Sequence, residues 1–284
     1  MLSMKIFVNT PQELLNEIIE RAVEDKLGLE LLMIDHDDND KLYPVDYVLK
    51  KIENTRFSEV ADLMLHTDHC HTWGFQISDP ETLASYTTEM QNANRLGMRK
   101  VVMHYNDKMD KEDVTDKRLH DDLLRINDLG EKYGITIHLE NTLFVHDDHS
   151  FDKANIDFHE RIFSHVTDEK MKNIGFCFDL GHGKVFSDNK LAEWLKFIDS
   201  LVEKTIPVHF HLHNNHGVHD DHMPFHIADM EGLNEGDSYT GGEHYLNVLN
   251  KIINTYKAMQ LIEIPSSYAL AEMNWLQAEL AKLK

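Results

Sequence analysis

The chain has 284 residues, with 50 acids against 28 bases and a formal charge of −22 at pH 7. So acidic a surface repels phosphate backbones, and no Lys/Arg cluster offsets it, so nucleic acid is not an expected partner. The length suits a single domain over 1–284; no apolar run of about 18 residues offers a membrane span, and the start MLSMKIFVNTPQE has no apolar segment before a cleavage site, while Cys70 and Cys177 make no disulfide framework, so a cytoplasmic protein is expected.

Short apolar runs alternate with amphipathic stretches from end to end. KIFVN (5–9) leads into PQELLNEIIERAVED, where Pro11 starts a helix with Leu14, Leu15, Ile18 and Ile19 on one face. LELLMID (29–35) follows, then VADLML (60–65), which runs into TDHCHTW before a helix from about Asp79. KVVMHY (100–105) precedes a helix over roughly 116–132, GITIHLEN (134–141) one over 152–170, and IGFCFD (174–179) one near 189–203. IPVHFHLH (206–213) opens a long loop and then a helix near 242–258, and LIEI (261–264) precedes the closing helix. Eight strands each followed by a helical pattern predict a closed parallel (β/α)8 TIM barrel. A doubly wound open sheet would show a Gly-rich turn after its first strand, and KIFVNTPQE has none.

Barrel active sites sit at the C-terminal ends of the strands. Read in order, those ends deliver His69 and His71, then His104, Glu140, Asp179 with His182, His211 and Glu263, while Asp220 and His222 lie in the loop after strand seven. A lone strand-end histidine is more often structural. Six consecutive strands presenting metal-ligand types at one rim point instead to a metal site, and imidazole plus carboxylate without thiolate suits Zn, Mn, Mg, Co or Fe(II). Period-two alternation puts His209, His211 and His213 on one face, with His209 deeper and His213 higher, near substrate; His138 likewise lies under Glu140. For His209 and His138, satisfied interior positions fit better than ligation. The segment 214–242 is acidic and Gly-rich, and is read as a lid supplying Asp220 and His222.

Several motifs resemble those of the xylose isomerase-like TIM barrels, the superfamily that joins endonuclease IV to sugar isomerases and epimerases. IHLEN is similar to the strand-five LEN motif, FCFDLGHG to D-x-x-H, and HLHN to H-x-x-D with Asn214 in place of Asp. DDH (220–222) is similar to a D-x-H loop, LIEIP to the strand-eight glutamate, and HCHTWGFQIS and VVMHYN to the strand-three and strand-four histidine motifs. The resemblance implies a single-metal set of Glu140, Asp179, His211 and Glu263, or a trinuclear set adding His71, His104, His182, Asp220 and His222. It favours His71 over His69. After His222 the chain has MPFHIADMEGLNEGDSY where the family usually has P-x-G-x-G.

The first functional reading is a divalent-metal isomerase or epimerase of a small sugar, polyol or keto acid. The resemblance implies Glu140 and Glu263 as acid/base groups, with His182, Lys184 and His213 binding substrate oxygens. The alternative is a two- or three-metal phosphoesterase. A His-rich metal buffer would explain 20 histidines but not their placement at strand ends. A small-molecule substrate is the expected partner, and homo-oligomerisation stays open.

Overall fold

The structure is a computed structural model describing the chain except residues 36–40, 68–76, 106–114, 146–150, 153–155, 186–189, 216, 228–237 and 284. Eight parallel strands close into a barrel: β1 (Leu2–Phe7), β2 (Gly28–Leu32), β3 (Asp62–His66), β4 (Lys100–Met103), β5 (Thr136–Glu140), β6 (Ile174–Asp179), β7 (Val208–Leu212) and β8 (Met259–Ile262). Each strand pairs with its sequence neighbours, and β1 closes on β8 with Met4 opposite Ile262.

The outer layer holds α1 (Gln12–Glu24), α2 (Val45–Ile52), α3 (Pro80–Arg95), α4 (Asp116–Tyr133) and α5 (Ile156–Asp168). It continues with the single turn and a half of α6 (Leu180–Lys184), then α7 (Leu191–Glu203), α8 (Tyr245–Thr255) and α9 (Ser266–Lys282). Among the described residues, no helix is long and apolar enough to cross a membrane.

Local chemistry sets these bounds. Asp79 caps α3 by accepting from the Thr82 N–H at 2.9 Å, with Pro80 in the first turn. Thr115 caps α4, and Gly134 ends it at φ 65°. The helix α2, between β2 and β3, is one for which the sequence pattern gives no range. Its eight residues bury only Val45 and Val48, too short a stripe to stand out by periodicity.

Alternation divides the strand residues between two environments. Met4, Ile6, Leu29, Leu31, Ile137, Leu139, Phe210 and Leu212 join the large core shared with the helices. Their sequence neighbours Lys5, Glu30, His138, Glu140, His209 and His211 are buried as well, on the opposite face. Met64, Val102 and Cys177 make a small separate apolar cluster. Barrel interiors are ordinarily packed with branched aliphatic side chains. Here the interior is given largely to titratable groups, and they lead toward one mouth.

Candidate active site

Glu140 ends β5, Asp179 ends β6, His211 lies near the end of β7, and Glu263 follows β8 directly. One donor atom from each lies within 4.8 Å of the others, and all four side chains are buried. His211 Nδ1 is 2.7 Å from Glu263 Oε2, 3.3 Å from Glu140 Oε1 and 3.8 Å from Asp179 Oδ2. Yet His211 Nδ1, both Glu140 carboxylate oxygens and Glu263 Oε2 make no aligned hydrogen bond among the described residues. Close approach without mutual alignment is how ligands converging on one cation are arranged, and the donor set fits a divalent metal.

The orientation of His211 comes from below. Glu30 on β2 accepts from His211 Nε2 at 3.2 Å and from His209 Nε2 at 3.1 Å. That contact puts the Nε2 hydrogen on the Glu30 side and leaves Nδ1 for the cluster, the carboxylate–histidine arrangement common around metal ligands. Burial would raise the Glu30 pKa, but the His211 charge and the two imidazole hydrogen bonds hold it well below the usual carboxylate range. His209 is therefore an orienting interior residue. Burial pushes the pKa of His138 down, so it too is a neutral interior histidine.

Two further donor groups adjoin the first. His66, the last residue of β3, and His104, just past β4, place Nε2 at 3.4 and 3.1 Å from the same Glu140 oxygen. His182, His213, Asp220 and His222 form the other. Asp220 Oδ2 meets His182 Nε2 at 3.2 Å and His222 Nε2 at 3.1 Å. His182 Nδ1 also lies 3.3 Å from Glu140 Oε1, which links this group to the first.

The local sequence explains the placement. In IHLEN, the Asn141 side chain donates to the Asp179 carbonyl at 2.8 Å and accepts from the Asp179 N–H at 2.5 Å, tying the ends of β5 and β6 together. In FCFDLGHG, Asp179 caps α6 through the His182 N–H at 2.6 Å, and the His182 ring lies between Glu140 and Asp220. Gly181 is required by packing, since a Cβ there would lie 2.0 Å from His213 Cε1. His222 adopts φ 45°, an uncommon conformation for a residue with a side chain.

Charge follows from these contacts. Burial opposes ionisation of Glu140, Asp220 and Glu263, but neighbouring histidinium charges, and Lys5 at Glu263, hold all three well below the usual range. Burial alone would lower His222, but Asp220 and Glu263 push it up to about 9. His182 is raised in the same way by Asp179, Asp220 and Glu140, and the pKa of His211 is raised as well. Burial pushes the Cys177 thiol up, so it is a neutral filler and not a thiolate donor.

Placed against the sequence expectations, Glu140, Asp179, His211, Glu263, His104, His182, Asp220 and His222 come together at one mouth. His69 and His71 lie outside the described residues; among the described residues of strand three, His66 lies beside Glu140. His213 is fully buried, with Nε2 at 3.1 Å from both Asp179 oxygens and its ring stacked on His222 at 4.1 Å. It is placed to orient other groups and does not line the cavity. The Lys184 ammonium lies 5.4 Å from the centre of the Tyr245 ring, also away from the cavity wall. Of the expected lid, residues 216 and 228–237 lie outside the described residues.

Lys5 and Glu30 join the site without having been singled out in the sequence. Lys5 forms a buried ion pair with Glu263. Each was legible as a charged residue inside an apolar strand, KIFVN and LELLMID.

The mouth opens on a cavity of about 360 Å³. Glu140, Glu263, His66, His104, His182, Asp220 and His222 line it, with Lys5 at Glu263 and Phe7, Ile264 and Pro265 as an apolar wall.

The clustered carboxylates and imidazoles lie at the C-terminal mouth of a closed parallel barrel, where the active sites of such barrels sit. The chain belongs to the xylose isomerase-like TIM barrel family, which it matches over residues 25–284. Among solved structures it is similar to a D-tagatose 3-epimerase-like protein, at 18% identity over 99% of this chain and 97% of that one, with a TM-score of 0.65. It is also similar to a Thermus thermophilus protein soaked with zinc chloride, at 21% identity over 100% and 98% of the two chains, with a TM-score of 0.59. A third is the 3-keto-D-glucoside 4-epimerase of E. coli, at 12% identity over 98% of each chain, with a TM-score of 0.56. At these identities the likeness is one of fold. None of the curated proteins matches in sequence.

Proposed function

We propose that this chain is a divalent-metal-dependent isomerase or epimerase of a small sugar, polyol or keto acid. The observation that carries the reading is that Glu140 and Glu263, from β5 and from the end of β8, face one small cavity and also belong to the four-donor group. A cation held by Glu140, Asp179, His211 and Glu263 would supply Lewis-acid polarisation of adjacent substrate oxygens. Both glutamates are held ionised by their neighbours, so either can accept a proton from a substrate carbon and, once protonated, return it; delivery by the opposite glutamate requires that it first take a proton from solvent. Lys5 keeps positive charge against Glu263. Phe7, Ile264 and Pro265 give the C–H face of a polyol an apolar wall and limit water there. The cavity is at the lower end of the range for small-molecule sites, which suits a monosaccharide-sized ligand.

The test is incubation of metal-replete protein with ketoses, inososes and small keto acids in heavy water. Incorporation of solvent deuterium at the isomerising carbon is the expected result. A full screen without exchange or turnover removes the reading.

A second reading, a two- or three-metal phosphoesterase, is favoured by a specific observation: three donor groups adjoin at one mouth, and Glu140 belongs to two of them. Multi-ion sites of this kind clamp both the attacking and the leaving oxygen of a phosphate ester. Three tightly bound ions together with turnover of small phosphate esters would rank the hydrolase first.

A further inference from the structure

Glu272 lies on α9, outside the cavity wall, and is fully buried. A buried carboxylate is costly unless donors compensate it. Here the donors come from one short stretch of the loop after β7. Glu272 Oε1 accepts the Phe225 N–H at 2.8 Å, and Oε2 accepts the His226 N–H at 2.9 Å and meets His226 Nδ1 at 2.5 Å. The near end of the same loop is pinned to the barrel. Asn214 and Met223 exchange backbone hydrogen bonds at 3.0 and 2.8 Å, and the Asn215 side chain donates to the Gly181 carbonyl at 2.7 Å. Asp220 and His222 lie between these pins, and His222 carries the uncommon positive φ. A strained backbone residue persists only where its surroundings over-determine it.

We propose that Glu272 is a positioning residue for the Asp220–His222 half of the site. By clamping residues 225–226 to α9 it keeps the preceding loop in the one conformation that aims Asp220 and His222 into the cavity. The role is mechanical and reaches the chemistry through backbone N–H groups, not through substrate contact. The consequence for metal binding rests on the metal-site reading above.

Glu272→Gln separates the clamp from the fold. The amide has nearly the same volume and keeps one oxygen acceptor, but whichever way it lies its NH2 opposes at least one of the backbone N–H groups that the carboxylate now receives. Zinc titrations against a competing chelating dye would compare the wild-type chain, Glu272→Gln and His222→Asn, with His222→Asn marking the step that uses the loop. Glu272→Gln is expected to weaken that step at least tenfold and leave the step of the four-donor group unchanged. Equal weakening of all steps, or of none, would overturn the proposal. Hydrogen exchange of residues 217–227 in the metal-free protein decides the clamp independently of any metal. At least tenfold faster exchange there in Glu272→Gln, with α9 unchanged, supports it. Unchanged exchange in the loop overturns it, even where the metal reading stands. If the wild type has no step sensitive to His222, that reading of this half of the site fails and the exchange result alone judges Glu272.

Discussion

His211 has a carboxylate at each ring nitrogen, Glu30 at Nε2 and Glu263 at Nδ1, so its orientation is set before any ligand arrives. Glu30→Gln is expected to weaken zinc affinity by about 10–100-fold while the protein stays folded, the usual cost of losing an outer-shell partner. Competition titration alongside circular dichroism checks both halves of that statement. Glu140→Gln and Glu263→Gln should each lower turnover by at least about a hundredfold, because a positioned acid/base group contributes about 10²–10⁴ in rate. Wild-type rates with metal still bound would remove the acid/base assignment. His222 also sets a pH dependence. Its folded pKa, raised by Asp220 and Glu263 to about 9, lies above the unfolded value, so its contribution to stability is complete below the unfolded pKa and is lost as pH rises through about 9. A cation at His222 must displace that proton. Zinc affinity at the loop-dependent step should therefore rise toward pH 9, by up to about tenfold per unit for one displaced proton, with protons released to the buffer. A flat profile would contradict it.

The turn from β6 into α6 brings its parts into contact with little tolerance. Asp179 caps α6, Asn141 ties β5 to β6, and the His213 ring fills the space above Gly181. Gly181→Ala would push a methyl group into that ring, so the ring or the turn must move. A loss of about 1–3 kcal/mol in urea unfolding is expected, as for overpacking elsewhere, together with loss of activity. Gly97→Ala is the contrasting case. Its Cβ would meet nothing within 4 Å, but φ is 77°, so only the cost of a left-handed residue, about 1–2 kcal/mol, applies and the site should be untouched.

Across the whole molecule, the charge of −22 and the buried carboxylates work in one direction. Duplex DNA is not expected to bind at moderate salt, since nonspecific affinity depends on neutralising phosphates with Lys and Arg. A salt-sensitive gel shift would count against this. The same carboxylates should make stability depend on bound cation. At a free zinc concentration of 100 times Kd, binding to the folded state alone adds about 2.7 kcal/mol, so chelation should lower the melting temperature measurably. An unchanged melt after verified metal removal would show that the folded chain does not use the cation for stability.

The order of strands and helices was legible in the sequence, because apolar runs at period two and amphipathic stretches at period 3.6 are local properties of the chain. So was the set of strand-end residues from His104 to Glu263, since a strand's last residue lies at the rim whatever its neighbours do. Other features depended on closure of the barrel. Strand three was expected to end at Leu65, but it runs one residue further and brings His66 beside Glu140. Lys5 and Glu30 read as isolated charges in apolar strands until β1 closed on β8 and faced Lys5 with Glu263, 258 residues away, and brought Glu30 under His211, 181 residues away. His213 shares a face with His211, but the packing of α6 at Gly181 makes it a partner of Asp179 and not a wall of the cavity. Sequence determines which groups a strand delivers to the rim. Which of them meet, and which nitrogen of each imidazole is left for a ligand, depends on contacts between strands far apart in the chain, and only the closed barrel supplies them.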